Sequence, residues 1–297
     1  MDILHVKGNT YCIDTGMTYI PFYKINDKEI IMLDTGWAKG ERKGIEEVLE
    51  DNNFEVKAII NSHFHIDHAG NNVYLKEKYD CIIAMSELEA VISSSIDNLK
   101  LYYGEQTIRE VRKHYNHMVF KTDIIIEKNL QEISVCGVDF KIIHTPGHSP
   151  SHICITTPDE VGYVADALIS YEVMRGSKLP YASILSEDMK SKSKLYDLKC
   201  SRYVVAHKGI YDDITKLIDD NIDFYESRAM AIYGLIDRTM TFECIMKVVL
   251  ENLNIKVGSI YKYYTVERML KSYIEYLNDI EKIKLIMEDG FLKYSPL

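Results

Sequence analysis

Four side chains able to hold a metal fall within six positions of this sequence, His63-Phe64-His65-Ile66-Asp67-His68, directly after the apolar run Val56 to Ile60. Alternate residues of an extended chain project to the same side, so His63 and His65 can converge on one cation while Asp67 and His68 turn toward a second. A core histidine usually stands alone, and four donors packed this closely are not a core pattern.

Two such sites need about seven donors, and three further candidates follow strand-like runs downstream. His148 lies in His144-Thr145-Pro146-Gly147-His148-Ser149-Pro150, where proline and glycine impose a sharp turn. Asp166 follows Gly162 to Val164, and His207 follows Tyr203 to Ala206 just before Gly209. A carboxylate has two oxygens and lowers the repulsion between cations roughly 3.5 to 4 Å apart, so Asp166 is the expected bridge. Metal coordination lowers the pKa of water from 15.7 to near 7, which makes a bridging hydroxide available for hydrolysis at neutral pH. Asp67, beside its ligand role, is expected to orient that nucleophile or accept its proton.

The elements that must carry these donors are legible as short β-rich runs alternating with helical ones. Tyr11 to Ile13, Ile20 to Ile25 and Ile30 to Leu33 read as strands, Gly44 to Asn52 as a helix, and Val56 to Ile60 as a buried strand ending at the histidine cluster. Later strands are expected at 81–84, 139–144, 153–156, 161–164 and 203–206. Such a series predicts layers of sheet covered by helices. Residues 88–119 read as a peripheral helical pair, with Ile108, Val111 and Tyr115 on one stripe, placed to act as a lid or simply to pack.

The texture changes near residue 212. Apolar positions from Ile214 to Ile236 follow a helical period, a second stripe opens after Thr241, and a third after Thr265 with Met269, Tyr273 and Leu277. Leu285 to Met287 and Phe291 to Tyr294 flank the turn signal Asp289-Gly290. The expected division is a catalytic domain at 1–212 and a mostly helical, winged-helix-like domain at 213–297.

Composition narrows the function classes. With 46% apolar and 27% charged residues among 297, the chain is an ordinary folded protein rather than a disordered or repetitive one. Its net charge of −10, from 35 basic and 45 acidic residues, opposes a broad phosphate-binding surface. No run reaches the roughly 18 to 20 apolar residues of a membrane span, and the first residues resemble no leader. Six scattered cysteines without a Cys-x-x-Cys pair fit reduced thiols. A cytoplasmic protein is the expectation.

The segments HFHIDH, TPGHSPSH, ADAL and AHKG resemble, in order, the metal motifs of the metallo-β-lactamase superfamily, and LDTG at 33–36 resembles its early strand-turn. The resemblance covers about residues 1 to 212. It implies an α/β fold, an αββα sandwich with metal ligands on loops at one edge. It also implies that His63, His65 and His148 hold the first metal, Asp67, His68 and His207 the second, with Asp166 and a hydroxide between. Asp34 of LDTG would be a supporting group near the site. Two small departures touch no ligand: Ala165 stands where members often have glycine before the bridging aspartate, and Lys208 follows the last histidine.

Of the other histidines, His5, His114 and His117 read as solvated surface residues. His144 and His152 are the candidates for hydrogen bonds behind His148. No tyrosine stands out among the 22 as a catalytic acid.

The resemblance also narrows the substrate. True β-lactamases of the family carry Cys or Ser at the position of Asp166, whereas thioesterases of the glyoxalase II type, lactonases and ribonuclease-type members carry Asp. Antibiotic hydrolysis is therefore disfavoured. A redox role is disfavoured because flavodiiron members have an acidic residue where His65 stands. The expected function is hydrolysis of an ester, thioester or lactone by two divalent cations, zinc before iron or manganese. The partner would be a small-molecule acyl substrate, with no membrane and with a homodimer as the assembly to test. The alternative, prompted by the tail, is a metal-dependent endoribonuclease or phosphodiesterase, and nucleic acid is disfavoured by charge. A metal-retaining scaffold without catalysis is the weakest reading, because no ligand is missing.

Overall fold

A computed structural model describes all 297 residues. Seven strands form the first sheet in sequence order: β1 (Asp2–Lys7), β2 (Thr10–Asp14), β3 (Tyr19–Lys24), β4 (Glu29–Leu33), β5 (Glu55–Ile60), β6 (Ile82–Ser86) and β7 (Ile124–Ile126). The first four pair antiparallel through tight connections, and β4 to β7 run parallel. The second sheet holds β8 (Glu132–Val135), β9 (Val138–His144), β10 (Ile153–Thr156), β11 (Val161–Ala165), β12 (Arg202–Val205) and β13 (Gly209–Tyr211). Only β11 and β12 are parallel there.

Side-chain alternation explains why the sheets stack. In β4, Ile30 and Met32 point into the core beneath the outer helices, while Ile31 and Leu33 point into the core between the sheets. A strand buried on both faces must be apolar at every position, as the run Ile30 to Leu33 is. In β11 the same alternation sends Tyr163 inward to the first sheet and Val164 outward to a smaller cluster that includes Leu217 and Ile218. The αββα sandwich expected from the motifs is the fold observed.

Helices α1 (Arg42–Asp51), α2 (Asn72–Tyr79), α3 (Glu87–Ser93), α4 (Ile96–Tyr102) and α5 (Ile108–Tyr115) precede the second sheet, and α6 (Tyr171–Gly176) and α7 (Leu185–Lys194) lie between β11 and β12. The insertion expected as a helical pair is three short helices, because Ser95 and Thr107 each cap a new start. Val111 and Tyr115 are buried as the stripe implied.

The chain closes with α8 (Thr215–Tyr233), α9 (Phe242–Asn252), α10 (Ile260–Asp279) and a three-stranded sheet of β14 (Met240–Thr241), β15 (Ile283–Glu288) and β16 (Phe291–Pro296). Thr241 caps α9 through a bond from the Cys244 amide, as expected. The third helix starts earlier than Thr265: Ser259 caps it, and Thr265 sits mid-helix with its hydroxyl donating to the Tyr261 carbonyl (3.0 Å). One apolar cluster joins this tail to residues 169–185, packing Ile169, Leu179, Ala182 and Leu185 against Tyr225, Leu270 and Tyr273.

Candidate metal centre

Every candidate donor lies where a strand ends on the same edge of the sandwich. The segment after β5 carries His63 and His65, then folds into a turn in which the amides of His68 and Ala69 both bond the His65 carbonyl (3.0 and 2.9 Å). That turn brings Asp67 to His207 and His68 to Asp166, with the His68 ring 4.1 Å from that of His63. Gly147 holds the His148 loop against α7. Its φ is +126°, and a β-carbon there would stand 2.0 Å from the Asp188 amide nitrogen, so only glycine fits.

The seven candidate donors come together in two groups. His63 Nε2 lies 2.9 Å and His148 Nε2 3.0 Å from His65 Nδ1. Asp166 Oδ2 stands 3.3 Å from His148 Nε2, 3.5 Å from His68 Nε2 and 3.4 Å from His207 Nε2, so one carboxylate faces both groups. Asp67 Oδ2 is 3.4 Å from His207 Nε2. Donor atoms of His63, His65, His148 and Asp166 lie within 4.8 Å of one another, as do those of Asp67, His68 and His207.

The local chemistry fits divalent cations. Burial keeps His63, His65 and His148 neutral: it pushes His65 down to about 4 and the other two well below the ordinary histidine value. A neutral imidazole offers a lone pair, and three such rings with donor atoms within 4.8 Å of one another suit an electrophile between them. Burial opposes a charged His68, but Asp166, Asp34 and Asp67 more than offset it and raise its pKa well above normal. Asp166, with Asp67 helping, raises His207 to about 10 against the opposing effect of burial. Burial also pushes Asp67 and Asp166 upward, and the surrounding histidines overcome it and hold both below the ordinary carboxylate range. Asp166 Oδ1 is buried without a hydrogen-bond partner. Such an atom is costly unless something positive meets it.

Behind the candidate donors lies Asp34 of the LDTG segment. Its carboxylate accepts from the Ser62 amide (2.8 Å), the Ser62 hydroxyl (2.6 Å) and the Tyr163 hydroxyl (2.7 Å), and its Oδ2 lies 2.8 Å from His68 Nδ1. His152 is fully buried, with Nδ1 2.8 Å from the Thr145 hydroxyl and Nε2 accepting from the Asp166 amide (3.3 Å). His144 instead turns away to the Leu130 carbonyl (3.0 Å). His5 is exposed, but His114 and His117 are half-buried rather than solvated, His114 lying 4.7 Å ring to ring from Tyr261.

Sequence reasoning missed Glu89, at the start of the insertion. This buried carboxylate accepts from the Phe64 amide (3.0 Å), the Ser149 hydroxyl (2.7 Å) and the Ser151 amide (3.0 Å), tying the HFHIDH and TPGHSPSH loops together. Tyr102 was missed as well, and its hydroxyl lies 3.4 Å from His65 Nε2, on the side of the ring away from the other donors. The donors His65, Asp67, His148, Asp166 and His207 line a cavity of about 460 Å³. A larger groove of about 1040 Å³, bordered by Glu132, Asp139 and Lys141, includes none of the seven.

The sequence profile of the Metallo-beta-lactamase superfamily matches residues 13–207, a stretch that contains every donor just described. The chain belongs to that superfamily. Among curated relatives, the hydroxyacylglutathione hydrolase of Pelagibacter ubique is 27% identical over 197 residues, 62% of this chain and 71% of its own. The lactamase-like protein adaB of Aspergillus niger is 25% identical over 234 residues, 78% of this chain, and the chain spans only 59% of that protein's length. Among solved structures, a metallo-beta-lactamase family protein of Thermus thermophilus superposes with a TM-score of 0.69 at 17% identity, covering 94% of both chains. A beta-lactamase domain protein of Burkholderia ambifaria gives 0.71 at 13% identity over 100% of this chain and 95% of its own. Both superpositions run through the tail as well as the sandwich. No helix of the chain is long and apolar enough to cross a membrane.

Proposed function

We propose that this metal-dependent hydrolase cleaves a small ester, thioester or lactone with two divalent cations, zinc before iron or manganese. His63, His65 and His148 would hold one, Asp67, His68 and His207 the other, and Asp166 would bridge them. The observation that carries the reading is the position of Asp166. Its Oδ2 faces histidines of both groups and lines a cavity of about 460 Å³, the size of a metabolite rather than of a polymer groove.

When bound, such cations bring the pKa of a water near 7 and polarise the carbonyl to be cleaved. The chain's own residues supply the rest. Asp67 lines the cavity beside His207, and we assign it the proton of the attacking water. Asp34 holds the His68 ring, Glu89 holds the two ligand loops, and Tyr103, Tyr115, Tyr181 and Tyr261 wall the cavity against bulk solvent.

Relatives from Pelagibacter ubique and Haemophilus influenzae are named for hydrolysis of hydroxyacylglutathione, which supports an acyl substrate. The net charge of −10 weighs against RNA. Six free cysteines suit a reducing compartment and support a cytoplasmic reading. A catalytic unit at 1–212 followed by a helical tail at 213–297 is part of the same proposal. The test is a panel of thioesters, activated esters, lactones and single-stranded RNA offered to metal-loaded protein. Acyl hydrolysis is expected, with weak and salt-sensitive RNA binding. Efficient RNA cleavage at physiological salt with no acyl hydrolysis would replace the reading by a phosphodiesterase.

A further inference from the structure

The cavity above the donors has one strongly basic side chain in its wall. Arg268 of α10 is the only lysine or arginine lining it, and it comes from the tail rather than from the sandwich. Its guanidinium carbon lies 4.0 Å from the ring centroid of Tyr102 and 5.2 Å from that of Tyr103, both at the end of α4. Its Nη1 is buried and has no hydrogen-bond partner. The acid one position before it, Glu267, is engaged by Lys271 at 3.1 Å, and Glu105, which lines the same cavity, leaves that nitrogen unsatisfied.

A guanidinium packed on aromatic rings by its face keeps its edge free, and that edge matches the two oxygens of a carboxylate in plane. A buried donor without a partner is costly to leave unmade, so a ligand that satisfies it gains affinity by doing so. The position is also registered to the chemistry, because Tyr102 touches the arginine through its ring and His65 through its hydroxyl (3.4 Å).

We propose that Arg268 is a specificity residue that anchors a free carboxylate on the substrate, away from the bond that is cleaved. The inference deepens the acyl-hydrolase reading and rests on it for the substrate class. It makes the preferred substrate a small acyl compound that is itself an acid, such as the half-thioester of a short dicarboxylic acid. It also gives the tail a function: α10 walls the cavity and supplies its guanidinium.

The experiment compares matched thioesters with the same leaving thiol, glutaric half-thioester and its neutral amide counterpart, with metal-loaded wild type, Arg268→Gln and Arg268→Lys. In parallel, glutarate, glutaramide and inorganic phosphate are offered as ligands in a thermal-shift titration, which needs no turnover. Wild type is expected to favour the acid over the amide by about 10- to 100-fold in kcat/KM, the range for one charge-assisted pair at a buried site. Arg268→Gln should collapse that ratio and abolish the glutarate shift, and Arg268→Lys should restore part of both. The proposal is overturned if wild type shows neither preference nor glutarate shift, if Arg268→Gln lowers both substrates equally, or if phosphate protects through Arg268 and glutarate does not. If no acyl compound is hydrolysed while glutarate still binds through Arg268, the anchor stands and the hydrolase reading falls.

Discussion

Asp34 Oδ2 lies 2.8 Å from His68 Nδ1, on the far side of the ring from the Nε2 that faces Asp166. A carboxylate in that position fixes the tautomer and aim of the imidazole and raises its basicity toward a cation. The same carboxylate accepts from Ser62, which in turn sits 2.9 Å from His63 Nδ1, so one buried group steadies a donor on each side of the site.

Replacing Asp34 by Asn keeps the shape and removes the charge. Metal affinity, measured by competition with a chelator, should fall about 10- to 100-fold with the fold intact by circular dichroism.

Elemental analysis of fully loaded protein should give two divalent ions per chain. The substitution Asp67→Ala should remove nearly all turnover on any hydrolysed acyl substrate and weaken retention of the second ion, because Asp67 serves as both donor and proton acceptor in the proposed site. Kinetics on metal-saturated variant protein separate the two losses.

The metal-free protein should be sensitive to alkaline pH. His207 has a folded pKa of about 10 against an ordinary value of 6.5, so its contribution to stability is complete below about 6.5 and is lost as pH rises toward 10. His65 acts in the opposite sense. Its folded value of about 4 means stability rises as pH climbs from 4 to 6.5. Thermal unfolding of metal-free protein should be most resistant near pH 6.5 to 7, and the alkaline decline should be smaller in His207→Gln.

Ending the chain after residue 212 should cost solubility before it reveals anything about chemistry. Ile169, Leu179, Ala182 and Leu185 would lose the helices that cover them, leaving an apolar face exposed. Light scattering and recovery of soluble protein check this, and a monodisperse truncate of full activity would contradict it.

What was legible in the sequence is what local spacing dictates. The cluster at 63–68 declares itself because a strand and a turn put its donors in fixed directions whatever else the chain does. His148, Asp166 and His207 are legible because each follows a strand. Glu89, Tyr102, Tyr163 and Arg268 were not legible, since their roles arise from contacts across the fold: Tyr163 meets Asp34 from 129 positions away. His152 was legible only as a neighbour, and its bond to the Asp166 amide needed the folded loop. The two family departures now have a physical meaning. Ala165 has φ of +46° and Lys208 +60°, so both backbones enter the left-handed region next to a donor. That conformation costs glycine least, and this chain accepts the strain with Ala165 and Lys208.

The shared packing of residues 169–185 with α8 and α10 also sets an order of events during synthesis. Leu185 leaves the ribosome 75 residues before α10 begins at Ile260, which at about 5 to 20 residues per second is a wait of roughly 4 to 15 s. Once Tyr211 completes β13, 49 residues before Ile260, the sandwich can close and the seven candidate donors can gather, yet the wall that carries Arg268 does not exist. Nascent chains would therefore capture metal before they could discriminate among substrates, and selectivity would be the last property the molecule acquires.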